Sequence, residues 1–144
     1  MKRKEFLKSC GYACLGATML GTLFESCVSV SSVVANLEGD CLVVQKSDFK
    51  KEDTFLKYLI VRNDALEHSI YVFRFSENEY RALYLKCTHQ GNELSPYGEK
   101  LVCGAHGSEF NSKGIATHGP ATEPLRKFPV YINKQQILIS LRKI

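Results

Sequence analysis

Two short stretches constrain this chain more than anything else in it: CTHQG at residues 87–91 and CGAHG at residues 103–107. Each sets a thiol beside an imidazole, Cys87 with His89 and Cys103 with His106. The chain has only four histidines and six cysteines, so two such pairs demand a fold that brings two loops together. Each pair follows a strand-like run, EYRALYLK before Cys87 and KLV before Cys103. Loops leaving two strands at the same end of a sheet can meet, and their thiolates and imidazoles then form one set of donors.

The rest of the chain supplies such a frame. From Asn36 onward KYLIVR, SIYVFRF, EYRALYLK, KLVC, FPVYI and QILISL are rich in β-branched and aromatic residues. Alternation runs through Tyr71, Phe73 and Phe75 and through Ile137, Ile139 and Leu141, the period of a strand with one buried face. RNDALEHS, FSENE, SPYGEK, NSKG, HGPATEP and INKQQ read as turns between them. The pattern is all-β, a sandwich or small barrel; KKEDTFLK, Lys50 to Lys57, reads as a short helical turn. At 144 residues, 44% hydrophobic and 24% charged, one globular domain with a real core is expected. The net charge is +4, and without residues 1 to 26, which carry Lys2, Arg3, Lys4 and Lys8 against Glu5 and Glu25, it is +2. That is too weak and scattered for a nucleic-acid partner.

Residues 1–27 have a different character. MKRKEFLK precedes the apolar run GYACLGATMLGTLF, Gly11 to Phe24, which matches a secretory h-region and falls short of the roughly 20 residues a spanning helix needs. The segment is read as a signal peptide or a membrane or lipoprotein anchor, residues 28–35 as a linker, and 36–144 as the globular domain. RKEFLK resembles the twin-arginine export signal, with Arg3-Lys4 in place of the arginine pair and Phe6, Leu7 and Lys8 matching. LFESC resembles a bacterial lipoprotein processing site, with the small Ser26 before Cys27, while Phe24 and Glu25 depart from its commonest form. Export, lipidation at Cys27 and anchoring on the periplasmic side of a membrane are the expectation. Cys10, Cys14 and Cys27 belong to this segment and Cys41, in DCLVV, to the core, so six cysteines are not a disulfide framework.

Two thiolates and two imidazoles suit tetrahedral zinc or an iron–sulfur centre. Structural zinc sites usually draw one ligand type from each pair, whereas here each loop offers one Cys and one His. Such mixed loops make sense around two adjacent metals, each loop placing its Cys on one and its His on the other.

C-T-H-x-G and C-x-x-H-G-S closely resemble the two signature loops of the Rieske [2Fe-2S] domain family, and GPATEPL, Gly119 to Leu125, resembles its proline-containing third loop. The resemblance spans Asn36 to Ile144. It implies a Rieske-type antiparallel β-sandwich with a small cluster-binding subdomain of two ligand loops and one [2Fe-2S] cluster per chain. Cys87 and Cys103 would bind its inner iron, and His89 and His106 its outer iron, with their ring edges exposed. Ser108 would donate a hydrogen bond to a cluster sulfide. Two ferric ions, two sulfides and two thiolates sum to a neutral centre, whereas four thiolates leave a dianion, so the His pair makes reduction easier. Asn92 and Ala105 stand where cytochrome bc-type members have a disulfide, and Phe110 where they have a tyrosine. The expected potential is therefore in the lower half of the roughly −150 to +300 mV Rieske span.

The implied function is one-electron transfer, as a membrane-tethered carrier or a redox subunit of a larger complex. A redox protein would dock at His89 and His106 and the N-terminus would meet a membrane surface. No small-molecule substrate site and no catalytic residue is evident. The alternatives are the ferredoxin component of an oxygenase system and a zinc-stabilised binding module. His68 and His118 lack a Cys at ligand spacing and are read as a surface residue and a loop residue near the cluster. Tyr71, Phe73, Tyr80 and Tyr84 are read as core.

Overall fold

The computed structural model describes residues 30–142, so the signal, anchor and lipidation readings on residues 1–27 lie outside them. The strands in chain order are β1 (Ser32–Val34), β2 (Asn36–Glu38), β3 (Cys41–Gln45), β4 (Lys50–Lys51) and β5 (Thr54–Phe55). Then come β6 (Tyr58–Arg62), β7 (Ile70–Ser76), β8 (Glu79–Tyr84), β9 (Leu94–Tyr97) and β10 (Lys100–Cys103). The last are β11 (Glu109–Asn111), β12 (Ala116–His118), β13 (Lys127–Phe128), β14 (Val130–Ile132) and β15 (Gln136–Ser140).

The run IYVF in β7 explains the layering. Successive strand residues point to opposite faces, and Ile70, Tyr71, Val72 and Phe73 are all buried, so β7 must be covered on both sides. Ile70 and Val72 join Leu42, Val44, Ile137 and Ile139 in one core. Tyr71 and Phe73 join Leu101, Phe110, Cys87 and Cys103 in a second. β6 divides the same way, Leu59 and Val61 to the first core and Ile60 to the second. The alternation of Tyr71, Phe73 and Phe75 therefore marks only one of two buried faces.

The middle layer is a sheet of order β1-β6-β7-β8-β13. Against one face packs β14-β15-β3-β2, and against the other β12-β11-β10-β9, which carries the second ligand loop. The pairings are antiparallel except for β1 with β6, which is parallel. The strand β1 thus falls inside the stretch 28–35 expected as a linker. The helical turn is a 3-10 turn at Lys46–Phe49, and Lys50–Phe55 is the β4–β5 hairpin instead. The Asp48 carboxylate accepts the Gln45 N–H at 2.9 Å, and Phe49 is fully buried. Those two fastenings close the turn one step earlier than composition suggests.

The strand β9 contains Pro96, which has no N–H to give a ladder. It is an edge strand, paired only with β10, where the missing donor costs nothing. Its position matters for the site. Leu94 donates its N–H to the Leu85 carbonyl at 3.1 Å and is also the register partner of Cys103. The chain leaving β8 and the end of β10 are thereby drawn to one tip of the molecule.

Candidate metal centre

The two ligand loops share one backbone design. Gly91 donates its N–H to the Cys87 carbonyl at 2.8 Å, and Gly107 to the Cys103 carbonyl at 2.9 Å. Cys87 N–H bonds the Asn92 carbonyl and Cys103 N–H the Ser108 carbonyl, both at 2.8 Å. Each loop is thus a five-residue turn from Cys to Gly, and each Gly has φ of 78°. A left-handed residue at that place is what lets the chain reverse within one turn, and glycine occupies it without strain.

The turns put unlike side chains in unlike surroundings. Cys87 and Cys103 are 2% and 1% exposed, within the second core. His89 and His106 are exposed, with ring centroids 5.0 Å apart and planes at 90°. Among the described residues no three His, Cys, Asp or Glu side chains gather on one point. The four donors form a buried sulfur pair and an outer imidazole pair, an arrangement that can set the sulfurs on an inner metal and the imidazoles on an outer neighbour.

The Cys103 thiol is prepared for deprotonation. Burial pushes the Cys103 thiol up, but the backbone N–H groups of His106 and Ala105 and the Cys87 side chain outweigh it, so Cys103 titrates below the ordinary thiol range. N–H groups aimed at sulfur favour the thiolate, the form that binds metal. Neither Cys is in a disulfide, and Asn92 and Ala105 offer no bridge between the loops.

The third loop takes that bridging place. Thr88 Oγ1 donates to the Glu123 carbonyl at 2.8 Å, and the fully buried Ser108 Oγ accepts the Ala121 N–H at 3.0 Å. Ala121 and Leu125 are buried in the second core, and Leu125 N–H bonds the Gly114 carbonyl at 2.8 Å. Gly114 has φ of 78°, and a Cβ there would lie 2.8 Å from Leu83, so only glycine fits. The segment GPATEPL announces this loop in sequence, but its partners Thr88 and Gly114 carry no spacing signal. His118 is exposed on β12. His68, read as a surface residue, is half-buried, edge-on to Tyr84 at 5.8 Å, and its Nε2 has no hydrogen-bond partner among the described residues.

Three β layers with paired thiols and paired imidazoles at one tip define an all-β protein with a metal-binding tip of mixed thiolate and imidazole donors. The sequence model of the Rieske [2Fe-2S] domain matches residues 40–129, and the chain belongs to that family. The fold is similar to the crystal structure of the plasma-membrane Rieske protein PetC3 from Synechocystis PCC 6803, at 24% identity and a TM-score of 0.50, over 58% of this chain and 86% of that one. It is similar to a chain in the complex of reduced oxygenase and oxidized ferredoxin of carbazole 1,9a-dioxygenase, at 23% and 0.52, over 71% and 93%. It is similar as well to a chain of a hyperthermophilic respiratory Complex III, at 13% and 0.51, over 93% and 92%. No curated protein matches the sequence. The domain carries one [2Fe-2S] cluster and its function is Rieske-type electron transfer.

Proposed function

We propose that Cys87 and Cys103 hold the inner iron of the cluster, that His89 and His106 hold the outer iron, and that the chain is a membrane-tethered one-electron carrier or redox subunit. The observation that carries the ligand assignment is the segregation of the donors, sulfurs together in the core and imidazoles together in solvent. When bound, the cluster accepts and returns one electron. The chain's own residues do the rest. The second core excludes water from the thiolates, and the backbone N–H groups of Ala105 and His106 offset charge on Cys103. Ser108 Oγ receives a bond from Ala121, so its own proton remains available to the cluster, an interaction that raises the potential.

The exposed rings of His89 and His106 are the surface a redox partner would meet. The tether is residues 1–27, with export and lipidation at Cys27 on the periplasmic side. The absence of the Asn92–Ala105 bridge also suits a soluble ferredoxin of an oxygenase system, and recovery of the full chain from membranes distinguishes the two.

The ligand assignment is tested by electron paramagnetic resonance of the reduced full chain beside His106→Cys. The parent should show the low average g-value of mixed His and Cys ligation, and the variant should lose or alter it. An unchanged spectrum removes His106 from the ligand set. The midpoint potential should fall in the lower half of the roughly −150 to +300 mV range, and a value near its top contradicts the reading of Asn92, Ala105 and Phe110.

A further inference from the structure

The end of the molecule opposite the metal centre has its own chemistry. β8 starts at Glu79 and runs to the tip, so the β7–β8 turn at Glu77 and Asn78 lies at the far end, roughly 25 Å from Cys87 at strand rise. An open groove of about 320 Å³ lies beside that turn, lined among others by Lys46, Lys50, Arg74, Lys134 and Phe55. Glu77 is its one acid. Among the described residues no carboxylate forms an ion pair with Lys46, Lys50, Arg74 or Lys134. Glu52 and Asp53, at the tip of the β4–β5 hairpin, are outside the lining. Phe55 is 57% exposed, with the Arg74 guanidinium 4.5 Å from its ring centre. Unpaired cations around an exposed aromatic ring are what an interfacial contact with anionic lipid uses, the ring entering the headgroup layer and the cations meeting phosphate.

The course of the chain places the tether at the same end. β1 is parallel to β6, with Ser32 opposite Ile60 and Val34 opposite Arg62. Val30 therefore lies toward the Tyr58 end of β6, and Tyr58 is opposite Phe73, next to Arg74. The first described residues enter the fold at the far end, two strands from Arg74 in the sheet, or about 10 Å.

We propose that this basic groove rests on an anionic bilayer surface and so holds the tip bearing His89 and His106 away from the membrane. The proposal rests on the tether reading for its geometry, and the test separates the two. The full, cluster-loaded chain is mixed with vesicles of phosphatidylcholine alone and with vesicles containing phosphatidylglycerol. Flotation is followed, together with the rate of amine modification at Lys46 and Lys134. Lys86, beside Cys87 and half-exposed, is the internal control. On phosphatidylglycerol vesicles at low salt, Lys46 and Lys134 should react several-fold more slowly than on neutral vesicles, with Lys86 unchanged. High salt should abolish the protection, because screening shortens the reach of surface charge. Lys50→Gln/Lys134→Gln, which changes two exposed side chains, should release the protection at Lys46.

Flotation with both vesicle types and protection only on the anionic ones supports both tether and groove. Flotation with anionic vesicles alone supports the groove and defeats the tether. Flotation with both and equal modification overturns the groove and leaves the tether standing. Flotation with neither overturns both, and protection that survives the double substitution also overturns the groove.

Discussion

The two ligand loops have the same backbone and different side-chain arrangements. Both turn from Cys to Gly over five residues, with the same pair of backbone bonds and the same glycine dihedral. In the first loop His89 is third in the turn, and in the second His106 is fourth. The residue after the glycine is the exposed Asn92 in one and the buried Ser108 in the other. The first loop reaches the third loop through the exposed hydroxyl of Thr88, the second through the interior oxygen of Ser108. A repeated frame thus holds the sulfurs alike, while neighbouring slots bring the imidazoles together at a right angle. Equivalence belongs to the backbone, and asymmetry to the side chains.

Breaking the sulfur pair should have the largest effect. Cys87→Ala and Cys103→Ala should each leave no bound iron and no visible absorption, because one thiolate cannot hold an iron between the two loops. Retention of the cluster in one variant and not in the other would show that the loops are unequal at the sulfurs too. Ser108→Ala comes next. It removes a buried acceptor and strands the Ala121 N–H, at a cost of about 1–3 kcal/mol in chemical unfolding, and it should also lower the potential. A stability loss with no change in potential would limit Ser108 to fastening the third loop.

The frame itself is tested by Gly91→Ala and Gly107→Ala. A left-handed residue with a Cβ costs about 1–2 kcal/mol, and the two losses should agree. An added Cβ would meet only the flexible Lys86 Cε, at 3.2 Å, in the first loop, and nothing within 4 Å in the second. Unfolding free energies that differ by more than the whole expected cost would break the equivalence. Thr88→Val sharpens the asymmetry with a smaller effect, about 0.5–1 kcal/mol for one exposed hydrogen bond, and leaves the potential unchanged.

Much of this comparison was legible in the sequence, for a physical reason. Cys and His are few in the chain and their chemistry is specific, so two pairs with following glycines mark the candidate donors and foretell the turn they share. KYLIVR, SIYVFRF and QILISL announce strands because β-branched and aromatic residues suit a pleated, buried surface. LSPY did not, since Pro96 marks a turn unless the strand is known to be at an edge. The strand β1 was hidden because SVV is three residues long and finds its parallel partner, β6, far along the chain. The third-loop fastenings were hidden because a threonine hydroxyl bonding a distant carbonyl has no periodicity. The three layers follow from β7 burying both faces, which alternation on one face conceals.

The smallest expected effect lies at the base of the loops, where the residue before the cysteine is Lys86 in the first and Val102 in the second. Lys86 Nζ meets Glu67 Oε2 at 2.8 Å, tying the first loop to the segment before β7, whereas the ion pair beside the second loop, Lys100 with Glu109 at 2.8 Å, stays within its own hairpin. The hydrogen bond from Lys86, then its charge, holds the Glu67 carboxyl below its ordinary value of 4.5. That contribution is complete above the ordinary value and is lost as pH falls through the lowered one. The same pair raises Lys86 above its ordinary 10.5, so on the alkaline side the contribution is lost as pH rises through that raised value. Both groups are solvent-exposed, and salt should screen the pair. Glu67→Gln should therefore flatten the acid limb of the stability profile slightly at low ionic strength and leave it unchanged at high salt. Lys86→Gln, which removes the partner that lowers Glu67, should flatten the limb equally, and an acid limb that either variant leaves unchanged at low ionic strength would show that the pair does not fasten the base of the first loop.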